Sequence, residues 1–156
     1  MDAPRFAAAR TYPVTADAAY DALIAVPLPE LFARRYGPMP PIRDVVEEPE
    51  RFDTVGQHRR ILLAGGGSML ETITNADRGE LFAYRITELT GPLKPLVHHA
   101  DGAWAFDPAG TGVRVTWSWT LHPRGAVGAP LVRGLRPFWN GYARRALETF
   151  EHLLVP

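Results

Sequence analysis

The stretch Arg136-Pro137-Phe138-Trp139-Asn140-Gly141-Tyr142-Ala143-Arg144-Arg145-Ala146-Leu147-Glu148-Thr149-Phe150-Glu151-His152-Leu153-Leu154 decides the fold. Within it and just before it, Leu131, Leu135, Phe138, Trp139, Tyr142, Ala146, Phe150 and Leu153 recur at helical steps and form one apolar stripe. Arg136, Arg144, Arg145, Glu148 and Glu151 lie mostly off it. Pro137 either kinks the helix or begins it, because a first-turn proline lacks only an N–H that would be unpaired anyway. At about 1.5 Å per residue, positions 138–154 reach about 25 Å, enough to cross a sheet. The expected sheet-facing set is Leu135, Phe138, Tyr142 and Phe150.

Upstream the apolar period changes to two. In residues 113–121, Val113, Val115, Trp117, Trp119 and Leu121 share one strand face, and Arg114, Thr116, Ser118 and Thr120 share the other. Phe82, Tyr84 and Ile86 alternate in residues 81–89, as Trp104 and Phe106 do in 104–107. Further strands are read at 42–47, 55–63 and 69–75. Gly65-Gly66-Gly67, Asp77-Arg78-Gly79 and Pro108-Ala109-Gly110-Thr111-Gly112 supply turns, so neighbouring strands run antiparallel. Before them come a strand at 5–14, with Phe6, Ala8, Arg10 and Tyr12 on one face, and a helix at 16–25 capped by Thr15. Pro27 and Pro29 interrupt that helix, and another turn or two follows through Leu31, Phe32 and Tyr36.

The expected architecture is α+β: a curved antiparallel sheet of about six to seven strands, two short helices after the first strand, and a long C-terminal helix. A wide sheet twists and curls. One helix does not fill its concave side, which leaves room for a cavity.

The 156 residues are one domain's worth, read as a single unit over residues 1–156. With 17 basic against 17 acidic residues there is no concentrated positive field, so nucleic acid is not the expected partner. The absence of cysteine excludes disulfides and thiolate chemistry. No secretory h-region and no apolar run of membrane-spanning length is present, so a cytoplasmic protein without integral membrane association is expected, as monomer or homodimer.

The order of elements resembles the helix-grip fold of the START-like (SRPBCC) superfamily, in its polyketide cyclase/dehydrase and lipid-transport branch. The resembling stretches are Val14-Thr15-Ala16-Asp17-Ala18-Ala19-Tyr20-Asp21-Ala22-Leu23, Val55-Gly56-Gln57-His58-Arg59-Arg60, Leu81-Phe82-Ala83-Tyr84-Arg85-Ile86, Gly102-Ala103-Trp104-Ala105-Phe106 and Gly112-Val113-Arg114-Val115-Thr116-Trp117. The resemblance implies an elongated cavity for a lipid, polyketide, steroid or terpenoid-like ligand, and no universal catalytic residue.

Candidate ligand-binding residues are Tyr84, Trp104, Phe106, Trp117, Trp119, Leu135, Phe138 and Trp139. Their aromatic rings either fill a core or wall a cavity, and the tips of Tyr and Trp can orient a ligand. Candidate proton carriers are Glu71, His99 and Tyr142. Glu71 shares strand parity with Met69 and Ile73, so it either enters the cavity as an acid/base or pairs with Arg59 or Arg60, unless Leu70 points inward instead. His98 and His99 fall in the connection before Trp104, and adjacent extended residues point opposite ways, which makes a poor chelating pair. His58, His122 and His152 show no metal-ligand spacing with them, so no metal and no cofactor is expected. The expected function is a binding or carrier protein for a hydrophobic small molecule. The alternatives are a cyclase or dehydratase using cavity acid/base groups, and an interaction module with a filled core.

Overall fold

Thr15 sets the first corner of the molecule: its hydroxyl accepts a hydrogen bond from the Ala18 amide at 3.1 Å and starts helix α1 (Ala16–Ala25) directly after strand β1 (Arg5–Tyr12). The structure, a computed structural model, describes residues 3–155. Pro27 heads a single turn, α2 (Leu28–Leu31). Strands β2 (Ile42–Val46), β3 (His58–Leu63), β4 (Ser68–Asp77), β5 (Leu81–Thr87), β6 (Val97–Ala109) and β7 (Gly112–Pro123) follow, then helices α3 (Gly125–Arg133) and α4 (Arg136–Leu154).

The strands form one antiparallel sheet in the order β1-β7-β6-β5-β4-β3-β2, so the chain returns from β7 to pair with its own first strand. Register irregularities in β2, β4 and β6 bend the sheet. It curves around α4. Alternation decides the faces: Arg59, Ile61 and Leu63 of β3, Met69, Glu71 and Ile73 of β4, and Phe82, Tyr84 and Ile86 of β5 are all buried on the concave side. Trp104 and Phe106 of β6 and Val113, Val115, Trp117, Trp119 and Leu121 of β7 continue that face.

Helix α4 runs beside β1 in the same direction. Trp139 packs on Phe6 with ring centroids 5.7 Å apart, and Phe150 meets Tyr12 edge-on at 5.5 Å. The Tyr12 hydroxyl donates to the Leu147 carbonyl at 2.7 Å, and Arg10 Nε lies 2.8 Å from Glu151. Gly141 is an unfavourable residue inside a helix. It is accommodated because the Tyr36 ring lies where a Cβ would project.

Three expectations about elements are corrected. Of the two readings of Pro137 the structure takes the second, α4 beginning with Pro137 in its first turn, but the apolar stripe traced from Leu131 spans two helices because Gly134 caps α3. The buried face of α4 is Trp139, Gly141, Tyr142, Ala143, Ala146, Leu147 and Phe150. Phe138 is 40% exposed and Leu131 and Leu153 are exposed as well, so Phe138 does not face the sheet. Leu135 is only partly buried, at the N-cap of α4. Second, β3 begins at His58 rather than at Val55, since residues 53–57 form a turn in which Gln57 Oε1 accepts from the amides of Asp53 and Thr54. Third, β6 starts at Val97, not at Trp104, so His98 and His99 belong to a strand and not to a loop.

Candidate functional site

Between the concave face of β3–β7, the α1–α2 corner and α4 lies a cavity of about 70 Å³. Trp104, Trp117, Trp119, Trp139, Phe32 and Phe82 form much of its wall. The Trp104 and Trp117 rings stack with centroids 5.1 Å apart, and Trp139 closes on Trp117 from the helix side at 4.8 Å. Phe32 bridges Trp117 and Tyr142 at 5.2 and 5.4 Å.

Expected wall residues divide into two groups. Tyr84, Trp104, Trp117, Trp119 and Trp139 line the cavity. Phe106, Leu135 and Phe138 do not. Phe106 points to the concave side but packs on Tyr20 at 5.4 Å, in the closed core under α1. Met39, Phe52 and Arg59 belong to the wall and were not among the expected ligand contacts. The readable signal for Phe52 was an isolated aromatic in the polar segment Glu50-Arg51-Phe52-Asp53.

Of the expected proton carriers, Glu71 and Tyr142 reach the cavity. Glu71 is buried, and Arg59, directly opposite it in register, places Nε 3.0 Å from Oε1 and Nη2 3.4 Å from Oε2. Burial pushes the Glu71 carboxyl up, and the Arg59 charge and hydrogen bonds oppose that rise. Arg59 also reaches Glu48 at 2.9 Å and stacks over Phe52 at 4.0 Å. Arg60, the other possible partner, points outward to Glu47 and Glu88. The Tyr142 hydroxyl donates to the Pro40 carbonyl at 2.8 Å, and burial pushes its pKa well above the usual value. Its proton is committed to the backbone.

His99 is elsewhere. It sits on the convex face, stacked on His122 with ring centroids 4.0 Å apart, and lines no part of the cavity. The irregularity between Val97 and His99 also overturns the parity argument for adjacent histidines: the Nδ1 atoms of His98 and His99 are 2.8 Å apart. Donor atoms of His99, Asp101 and His122 lie within 4.8 Å of one another, a grouping that cross-strand pairing creates and sequence spacing hides. Asp101 accepts from Arg85 at 2.8 Å through Oδ1 and lies 3.0 Å from His122 through Oδ2. Arg85 and His122 thus share the Asp101 carboxylate, and the imidazoles of His99 and His122 are stacked.

Tyr84 carries a further polar atom of the wall. Its hydroxyl accepts from Trp117 Nε1 at 2.8 Å and from Trp119 Nε1 at 2.7 Å. The ring lies flat over Gly102, its register partner on β6, where any Cβ would collide with it.

Outside the cavity, a groove of about 820 Å³ runs between the end of α1 and residues 44–53. Ile24, Leu28, Phe52 and Arg59 line both spaces and form the partition between them. Among the described residues no helix is long and apolar enough to cross a membrane.

A family model for polyketide cyclase/dehydrase and lipid transport matches residues 3–154. Comparison with curated proteins by sequence finds no match. Among solved structures, Ara h 8.0201 superposes with a TM-score of 0.70 at 18% identity over 97% of each chain. The protein TTHA0849 of Thermus thermophilus does so with a TM-score of 0.70 at 17% identity over 97% of each chain. The major latex-like protein 151 of Panax ginseng gives 0.73 at 13% identity over 100% of both. At such identities the likeness is one of fold.

Proposed function

The chain belongs to the polyketide cyclase/dehydrase and lipid-transport family, and on that premise we propose that it binds or carries one hydrophobic small molecule of lipid, polyketide, steroid or terpenoid-like type. The observation that supports this is the aromatic wall enclosing a gap where a packed core would put side chains. The gap of about 70 Å³ is roughly half the ~150 Å³ of an engineered cavity that accepts benzene. A larger ligand therefore requires the partition of Ile24, Leu28, Phe52 and Arg59 to yield, which would join the cavity to the outer groove. Native mass spectrometry of freshly purified protein, with tryptophan-fluorescence titration against a broad panel of apolar probes, tests the reading. A co-purifying ligand or micromolar quenching, on the order of −8 kcal/mol, supports it. If no apolar probe binds, the space is only a packing defect and the reading fails.

A cyclase or dehydratase reading has one specific support, the raised carboxyl of Glu71 in the cavity wall. The ion pair with Arg59 weighs against it. Glu71→Gln separates the two: a proton carrier's loss lowers turnover roughly a hundred- to ten-thousand-fold, whereas a structural partner's loss lowers stability and leaves binding per folded molecule unchanged.

A further inference from the structure

We propose that the ligand presents an uncharged oxygen acceptor, such as a ketone, ester or lactone carbonyl, to the hydroxyl proton of Tyr84. This rests on the binding reading above and narrows its ligand class. A phenolic oxygen has two lone pairs and one proton. An indole N–H only donates. Trp117 and Trp119 both donate to the Tyr84 oxygen, at 2.8 and 2.7 Å, so both lone pairs are taken. The proton must leave in a third direction, and among the described residues no side-chain hydrogen bond has this hydroxyl as its donor. A buried donor without an acceptor is costly, and native proteins rarely tolerate one without a ligand, water or function.

The geometry also fixes the hydroxyl in place. Two indole donors hold the oxygen, and the Tyr84 ring occupies the space that the missing Gly102 side chain leaves. The proton is held at the wall of the cavity that Tyr84 lines. Trp139, on the helix side of the same cavity, adds a second unmatched donor: its buried Nε1 has no partner among the described residues. The polar atoms left over in the wall are therefore donors, and their complement is an acceptor.

The acceptor is neutral because of its neighbours. Glu71 lies in the same wall, and its charge acts on Tyr84. Arg59, the nearby cation, is already held between Glu71 and Glu48. A ligand carboxylate would lose its hydration in an apolar cavity and meet Glu71 with no free cation to offset either effect. A carbonyl loses far less on desolvation.

The test uses camphor, a compact bicyclic ketone, and 2-methylenebornane, the same skeleton with the carbonyl oxygen replaced by a methylene. Wild-type protein should bind the ketone up to about tenfold more tightly, the size of one neutral hydrogen bond. The infrared carbonyl stretch of bound camphor should lie below its position in an alkane solvent. Tyr84→Phe keeps the ring over Gly102 but frees the Trp117 and Trp119 indole donors, so the stretch of bound camphor should move from its wild-type position while hydrocarbon affinity stays within a few-fold. The wild-type measurements decide the matter even if that variant does not fold. Equal binding of the two probes, or an unshifted stretch, overturns the acceptor and leaves the cavity reading standing. Binding of neither probe, with no member of the broader apolar panel binding either, overturns both.

Discussion

Two buried tyrosines of the concave face, Tyr12 and Tyr84, show how differently its two halves are built. In the β1 half, Tyr12 donates to the Leu147 carbonyl of α4 and meets Phe150 edge-on, so helix and sheet close directly on each other. In the β3–β5 half, Tyr84 only accepts, Glu71 pairs within its own wall through Arg59, and a gap separates both from α4. Polar groups in the first half tie the helix to the sheet. In the second they tie strands of the sheet to one another along the wall of a space. A straight helix against a curling sheet produces this asymmetry, because contact along one edge opens distance at the other.

The largest expected effect falls in the closed half. Phe150 is fully buried between α4 and Tyr12, with no adjoining space to absorb its loss. Phe150→Ala should cost about 3–5 kcal/mol in urea denaturation. A loss below about 1 kcal/mol would mean that the helix does not close on β1, and the contrast between the halves would be false.

Next comes the ion pair in the open half. Arg59→Met leaves Glu71 buried and unpaired, and the loss should be about 3 kcal/mol or more. The double variant Arg59→Met/Glu71→Met removes the stranded charge and should recover most of that stability. If the double variant is no better than the single one, Glu71 is not dependent on Arg59, and its role as a proton carrier gains weight.

This pair also shows where sequence reasoning reached and where it stopped. Strand parity put Glu71 with Met69 and Ile73, but the choice between Arg59 and Arg60 needed the inward face of β3, and residues 58–60 carry no apolar alternation to fix it. In β7, where Val113, Val115, Trp117, Trp119 and Leu121 alternate cleanly, the inward face was legible outright. The start of β6 was not. His98-His99-Ala100-Asp101-Gly102 has poor strand propensity, and pairing with β5 and β7 on both sides overrides it. The Phe138 error has a different cause: a stripe read at steps of four drifts around a 3.6-residue helix, so Phe138 falls at the edge of a buried face centred on Trp139, Ala146 and Phe150. The C-terminal helix itself and the Thr15 cap were visible because each is a local pattern with a local cause.

A smaller effect sharpens the comparison of the tyrosines. Tyr12→Phe removes one buried hydrogen bond that joins two elements, so stability should fall by about 1 kcal/mol. The affinity for any cavity probe should not change, since Tyr12 does not line the cavity. A loss of probe affinity instead would show that the two halves are coupled and that closure of α4 on β1 governs the shape of the cavity.

The smallest effect belongs to the convex face, where the histidines lie. Burial lowers the pKa of His99, and the charges of His122, Arg85 and His98 lower it further, against a partial rise from Asp101. A lowered pKa means that, below the ordinary value of about 6.5, the unfolded chain binds more protons than the folded one. Stability from this source is therefore present above about pH 6.5 and is lost as pH falls towards the folded pKa. Asp101 has the same sign in a lower window: burial pulls its carboxyl up, but hydrogen bonds from Arg85 and His122 outweigh that, so its contribution fails only at acid pH near and below the ordinary carboxylate range. Urea midpoints measured at pH 7.5 and 5.5 isolate the histidine. The wild-type midpoint should drop modestly between them, and His99→Gln, which keeps a hydrogen-bonding side chain but cannot take up the proton, should flatten the drop. Because the cluster is separated from the cavity by the sheet, probe affinity of the variant at pH 7.5 should match wild type. An unchanged slope would mean that His99 protonates as readily in the fold as out of it, and that its stacking on His122 carries no electrostatic cost.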